Sequence, residues 1–282
     1  MKLKRSERIV LMTEYLLKNP NKLIPLTYFV SKFNQAKSSI SEDIHIIKDS
    51  FKEECIGTIK TLSGVNGGVI FHPILNDTAA NEVIDEFLHN LKSTDRLLAG
   101  GYIYMSDIIG NPNIMNKLGL LIANIYQDRE VDAVVTVASK GIPVAYAVAS
   151  ILNKPVVIIR RDNKVTEGTT VAINFVSGSR KKIETMVLSK RSLESSSKVL
   201  LVDDFLRGGG VMKGMQSLMK EFDVEVVGKA VLTQCFDSEY DNEENYTYLS
   251  KLTKLNEVTG EFEIEPGNAL SQLKEINKNL EI

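Results

Sequence analysis

Two carboxylates stand side by side at the end of an apolar run, Val199-Leu200-Leu201-Val202-Asp203-Asp204. Phe205, Leu206, Arg207 and three glycines (Gly208, Gly209, Gly210) follow, and Val211 then opens a stripe with Met215, Leu218 and Phe222 at helical spacing. That order predicts a buried parallel strand, a tight loop and a helix start. Such a loop is an anion site: N–H groups at a helix start lack partners, glycine lets an anion approach the main chain, and the helix dipole favours negative charge. The acids narrow the chemistry. No Gly-Lys-Ser/Thr follows the glycines, which separates this turn from a nucleotide P-loop. Paired carboxylates beside a phosphate cradle suit a ligand with vicinal hydroxyls and a phosphate, such as a ribose 5-phosphate whose 2′ and 3′ hydroxyls donate to the acids.

The elements around this segment alternate. Val131 to Val137 reads as a buried strand, Ala138-Ser139-Lys140-Gly141 as its loop, and Ile142 to Leu152 as the following helix. Pro155 to Ile159 reads as the next strand. Arg160-Arg161-Asp162-Asn163-Lys164 follows it, a long polar segment runs from Val165 toward Arg191, and Val226 to Leu232 makes a further strand. Alternation of this kind predicts an α/β fold with a mostly parallel sheet flanked by helices. Ligands in such sheets bind at the carboxyl ends of strands, where Lys140, Arg160 and Arg161 join Asp203 and Asp204.

The front of the chain differs in charge and pattern. Residues 1 to 40 hold eight bases against two acids, a net +6, while the whole chain of 282 residues carries −2. A basic front on an acidic body points to different partners for the two parts. Arg5 to Lys18 reads as a helix stopped by Asn19-Pro20-Asn21, and Pro25 opens a second helix through Phe33. A third helix has Ile40, Ile44, Ile47 and Phe51 on one face, with Ser39 and Glu42 spaced as a capping box. Two strands, Ile56 to Leu62 and Val69 to His72, flank a Gly/Asn-rich turn. Three helices and a β-hairpin form a winged helix-turn-helix, whose third helix enters the DNA major groove. Lys37, Ser38, Ser39, Ser41 and His45 are then the candidates for reading bases, and Lys4, Arg5, Arg8, Lys60 and Asn66 for holding phosphates. Glu42 and Asp43 oppose this reading unless they turn away from the phosphates. The competing reading is a helical interaction or dimerisation module. The division falls near Pro73, giving a domain of residues 1–73 and another of residues 74–282, joined by a helix from Asn76 to Lys92.

Composition excludes several classes. An apolar fraction of 43% with 25% charged residues is that of a globular protein. Cys55 and Cys235 are too few and too far apart for a disulfide framework, and His45, His72 and His89 lack metal-ligand spacing. There is no apolar run near membrane-spanning length and no signal peptide, so a cytoplasmic protein without membrane contact is expected.

The acid-pair segment resembles the signature of the type I phosphoribosyltransferases, which bind phosphoribosyl pyrophosphate (PRPP). Gly101-Tyr102-Ile103-Tyr104-Met105-Ser106-Asp107-Ile108 resembles the segment near the base in adenine and xanthine transferases. Ala138 to Gly141 resembles their pyrophosphate loop, and Arg160 to Lys164 with the polar stretch to Met186 resembles a strand end and mobile hood. With the winged front, the chain resembles the purine operon repressors of Gram-positive bacteria. Lys4-Arg5-Ser6-Glu7-Arg8, Gln35 through Asp43, and Asp162 through Gly168 carry that likeness. The resemblance implies a dimeric repressor of purine genes that binds operator DNA and is released by PRPP, with Mg2+ bound through the ligand. It implies a PRPP site made of Asp203 through Val211, Ala138, Ser139, Lys140, Gly141, Tyr102, Arg160 and Lys164. A purine nucleotide bearing a pyrophosphate, such as a guanosine alarmone, offers the same groups to that pocket. The transferases usually carry threonines where Gly208 and Val211 stand here. A lost hydrogen bond to a charged phosphate weakens binding by about tenfold or more, for which Arg207 compensates by its charge. No base-recognition set is legible, so little transferase activity is expected. An active purine phosphoribosyltransferase with an appended helical module is the alternative.

Overall fold

The computed structural model describes residues 3–64, 67–163, 165–177, 182–236, 245–256, 259 and 261–279. The chain divides into two compact units, Met1–Asn76 with Ser150–Asn153, and Asp77–Ala149 with Lys154–Ile282.

The first unit runs α1 (Arg5–Leu17), β1 (Ile24–Pro25), α2 (Leu26–Phe33), α3 (Lys37–Glu53), β2 (Gly57–Leu62) and β3 (Gly68–Pro73). Asn34, in the left-handed region at φ 50°, closes α2 and turns the chain into α3. The hairpin is a full antiparallel ladder from Gly57 opposite Pro73 to Leu62 opposite Gly68. Ile24 and Pro25 add a short third strand to it, giving the order β1-β3-β2. Met12, Leu16, Phe29, Ile40, Ile44, Ile47, Phe51, Ile59 and Phe71 form one core beneath the three helices and the sheet. The expected capping box on α3 does not form. The helix starts three residues earlier, after an extended Ala36 that makes no side-chain cap, and Glu42 reaches Arg5 instead.

The second unit begins with α4 (Asp77–Leu91), a small hairpin of β4 (Leu97–Leu98) and β5 (Tyr102–Ile103), α5 (Ser106–Ile109) and α6 (Pro112–Tyr126). Asn111 starts α6 by accepting hydrogen bonds from the N–H groups of Asn113 and Ile114, with Pro112 in the first turn. Then come β6 (Ala133–Val137), α7 (Gly141–Leu152), β7 (Val156–Ile159), β8 (Thr170–Val176), β9 (Ile183–Ser189), β10 (Lys198–Leu206), α8 (Gly210–Glu221), β11 (Glu225–Cys235), β12 (Thr247–Asn256), β13 (Glu261–Pro266) and α9 (Ala269–Asn279). The main sheet has the order β13-β12-β11-β10-β6-β7, parallel except for β13. Successive residues Val134 and Val135, and Leu200 and Leu201, are all fully buried, so both faces of the sheet centre are covered. Parallel pairing brings the loops after β6, β7 and β10 out at one end of the sheet.

Two differences from the sequence reading bear on function. The polar stretch after Lys164 is an antiparallel hairpin, β8 with β9, fastened to the end of β7 by backbone hydrogen bonds between Arg160 and Val187. The linking helix α4 packs within the second unit, against α6, α9 and the β12–β13 edge, and buries Ile84, Phe87 and Leu91 completely.

That packing makes α4 part of the second unit's fold. A chain starting at Asp77 is expected to melt cooperatively. One starting at Lys92 uncovers the apolar surfaces that Ile84, Phe87 and Leu91 fill, at about 2–5 kcal/mol per lost side chain, and is expected to aggregate. Size-exclusion chromatography and thermal melts of the two fragments measure the difference.

Candidate functional site

The end of β10 carries the acids. Strand pairing continues through both, with Asp203 opposite Val231 and Phe205 opposite Thr233 on β11, so the carboxylates belong to the strand rather than to the loop. Gly208 and Gly209 then take left-handed conformations at φ 65° and 66°, which a residue with a Cβ adopts only with strain. They reverse the chain directly into α8, whose N-terminus no side chain caps.

A cavity of 550 Å³ opens at this point, lined by Tyr102, Ala138, Ser139, Lys140, Asp203, Asp204, Phe205, Leu206, Arg207 and Val211, and also by Arg161, Ser177 and Glu184. The β6 loop presses on the acids: a Cβ on Gly141 would lie 2.1 Å from Thr136 Oγ1 and 2.7 Å from Asp203 Oδ1. Only glycine lets α7 begin there, and that close approach brings Lys140 to Asp204. Asp203 is buried. Desolvation, together with the neighbouring Asp204 charge, holds its carboxyl well above the ordinary carboxylate range. Burial raises Asp204 as well, against the pull of Asp203's hydrogen bond and the Lys140 charge.

The opposite wall is aromatic. Tyr102 and Phe205 lie with ring centroids 5.6 Å apart, and the Arg207 guanidinium stands 5.9 Å from the Tyr102 ring. The segment that carries Tyr102 is pinned by Arg96, which donates to Tyr104 O at 2.9 Å and to both Asp107 oxygens at 2.8 and 2.7 Å. That fork holds the Asp107 carboxyl down at about 2.

Most of the expected sugar-phosphate residues therefore converge. Arg160 does not line the cavity; its Nε pairs with Glu167 at 2.8 Å, and the next residue, Arg161, takes the inward place and pairs with Glu184. Gly208, Gly209 and Gly210 shape the turn without lining the cavity. Glu184 was not foreseen, because its position depends on the unforeseen hairpin. Lys164 and residues 178–181 of the expected hood lie outside the described residues, as does Asn66.

In the first unit a second concavity, of 460 Å³, lies between α3 and the sheet, lined by Ser38, Ser41, Glu42, His45 and Lys48 of the helix and Thr61 and Val69 of the strands, so Glu42 does not turn away from it. Lys37, Lys4, Arg5 and Lys60 are exposed, and Ser39 is half-buried. Arg8 departs from expectation: it is buried, and its Nε meets Asp43 Oδ2 at 2.5 Å. It faces the core and not a phosphate.

A winged-helix unit joined to a type I phosphoribosyltransferase fold is the class that these two sites define. Residues 4–73 match the family described as "Bacterial purine repressor, N-terminal", and residues 105–265 the "Phosphoribosyl transferase domain". The purine biosynthesis transcriptional repressor of Bacillus subtilis is 46% identical over 98% of this chain and 96% of its own length. A purine biosynthesis transcriptional activator of Lactococcus lactis is 41% identical over 94% of this chain and 98% of its own. An adenine phosphoribosyltransferase structure from Saccharomyces cerevisiae aligns with 60% of this chain and 97% of that one, at a TM-score of 0.51 and 15% identity, a likeness of fold. The chain belongs to the bacterial purine repressor family of purine biosynthesis regulators.

The raised Asp203 has a stability consequence of definite sign. A carboxyl whose folded value lies above its unfolded one favours the folded state fully at pH below the unfolded value, and that contribution is lost as pH rises through the folded value. Asp203→Asn removes the charge without changing the shape. It is expected to raise Tm by a few degrees at pH 7.5, with the gain shrinking toward pH 4; a lower Tm at neutral pH would refute the desolvation account.

Proposed function

We propose that this chain is a dimeric regulator that holds operator DNA with residues 1–73 and senses PRPP with residues 74–282, PRPP binding releasing the DNA. It works in the cytoplasm as a repressor without useful transferase activity. The observation that carries the reading is the buried acid pair next to a left-handed glycine turn, in a chain that also carries a winged helix.

The cavity fits the ligand chemically. Asp203 and Asp204 accept from ribose hydroxyls, and the uncapped start of α8 offers N–H groups to a phosphate. Lys140, Arg161 and Arg207 supply positive charge for a diphosphate. Mg2+ arriving with the ligand screens the charge on that diphosphate. Tyr102 and Phe205 present ring faces, so a purine nucleotide with a pyrophosphate, such as a guanosine alarmone, competes for the same space. A phosphate beside Arg161 draws it from Glu184, which weakens one tie between the cavity and the β8–β9 hairpin.

The groove along α3, with the polar side chains of Ser38, Ser41, His45 and Lys48 in it, supports DNA binding through this helix. The relatives' names include both a repressor and an activator; the release mechanism selects repression.

Titration of a fluorescent purine-promoter duplex tests the whole reading. PRPP with Mg2+ is expected to release wild-type protein, whereas the double variant Asp203→Ala/Asp204→Ala holds DNA with unchanged affinity and ignores PRPP. Loss of DNA binding in that variant would assign the acids a structural role. Incubation with labelled PRPP and adenine, guanine, hypoxanthine or xanthine is expected to form no nucleotide; turnover would restore the transferase alternative.

A further inference from the structure

We infer that Asp43, gripped by Arg8 and Arg5, is a positioning residue that sets the roll of α3 and with it the preference of the first unit for its operator over other DNA. The inference rests on the DNA-binding reading above. Asp43 is fully buried and Arg8 is 6% exposed. Both carboxylate oxygens are used: Arg8 Nε lies 2.5 Å from Oδ2 and Arg5 Nε 2.9 Å from Oδ1. Arg5 reaches Glu42 as well, at 3.4 Å. Two arginines and two acids, Asp43 and Glu42, make a cluster without net charge, with Asp43 turned inward and Glu42 exposed.

Stability alone does not account for this cluster. The neighbouring core positions are apolar: Met12, Ile40, Ile44 and Ile47. Desolvation offsets much of the attraction in a buried ion pair, and well-packed apolar replacements are often neutral or better. What an ion pair adds is direction. A carboxylate bonded at both oxygens to side chains of α1 resists sliding and rolling, where an apolar contact yields.

The roll matters because of where Asp43 sits on α3. At about 100° per residue it lies half a turn around the helix from the stripe of Ser38, Ser41, His45 and Lys48. A 10° roll displaces atoms at the helix surface, about 5–6 Å from the axis, by about 1 Å. Hydrogen bonds to base edges do not survive such a shift, while contacts to phosphates adapt. The clamp therefore governs discrimination more than total affinity.

The full-length double variant Arg8→Met/Asp43→Leu tests this against operator and scrambled duplexes of equal length. Expected are a Tm within a few degrees of wild type, scrambled-duplex affinity within about twofold, and operator affinity reduced about tenfold, the scale of one lost base contact. Retention of wild-type discrimination would make the pair merely structural and overturn the inference. Should the double variant unfold, Arg5→Gln, at a half-exposed position, carries the test. Its operator-to-scrambled ratio is expected to drop about threefold with an unchanged salt dependence. Equal weakening on both duplexes, with the salt slope smaller by about one, would make Arg5 a phosphate contact and sink the clamp. A wild-type protein that does not prefer the operator overturns the DNA-binding reading itself, a separate result.

Discussion

Two carboxyl groups held side by side in a poorly hydrated cleft resist ionisation, and the cavity end of the second unit is arranged around that resistance. Asp203 and Asp204 sit where three parallel strands deliver their loops, so the groups that oppose the acids come from separate stretches of chain: Lys140 after β6, Arg161 after β7, Arg207 after β10. The missing side chain at Gly141 lets the Lys140 loop close on Asp203. Burial raises both acids above the ordinary carboxylate range. Hydrogen-bond donors brought to such a pair favour its charged form. An acid pair held in this way costs stability, as functional sites commonly do.

The first unit handles a buried acid in the opposite way. Asp43 is more completely buried than Asp204, yet it has a guanidinium on each oxygen. No ligand is needed to satisfy it, so its work is finished in the folded state and consists of holding α3 against α1. One chain therefore contains an acid pair raised by burial and a single acid met on both oxygens by guanidinium groups.

Legibility in the sequence followed the range of the interactions. The run Val199 to Val211 was readable because strand, acids, glycine turn and helix are consecutive, and both left-handed positions fall on glycines. The stripe Ile40, Ile44, Ile47 and Phe51 was readable because helical periodicity is local. The capping box was misread because α3 already begins at Lys37, which puts Ser39 and Glu42 inside the helix, where the spacing alone cannot tell a cap from an interior pair. Arg8 looked like a phosphate contact because its partner, Asp43, is 35 residues distant. The choice between Arg160 and Arg161 turns on which side of a strand end faces the cleft. Composition does not encode that choice, and the hairpin that decides it was hidden in a polar segment. β1 escaped notice because two residues carry no period.

Communication between ligand and DNA has a thermodynamic requirement that narrows the physical options. A ligand shifts DNA affinity only by the difference in its own affinity for two states of the protein, and a tight but indifferent ligand shifts nothing. Within the second unit, contacts that an anionic ligand alters unequally must involve charges already engaged when the cavity is empty. Arg161 is such a charge. It pairs with Glu184 of the β8–β9 hairpin, and its charge also favours the ionised form of Asp203 against the burial that disfavours it. Arg207 is held differently, near the Tyr102 ring. A ligand with phosphate alone changes the first contact, and one with a base changes both. Ligands that differ in these groups differ in their leverage on the cavity, and two that compete for one site need not shift an equilibrium in the same direction.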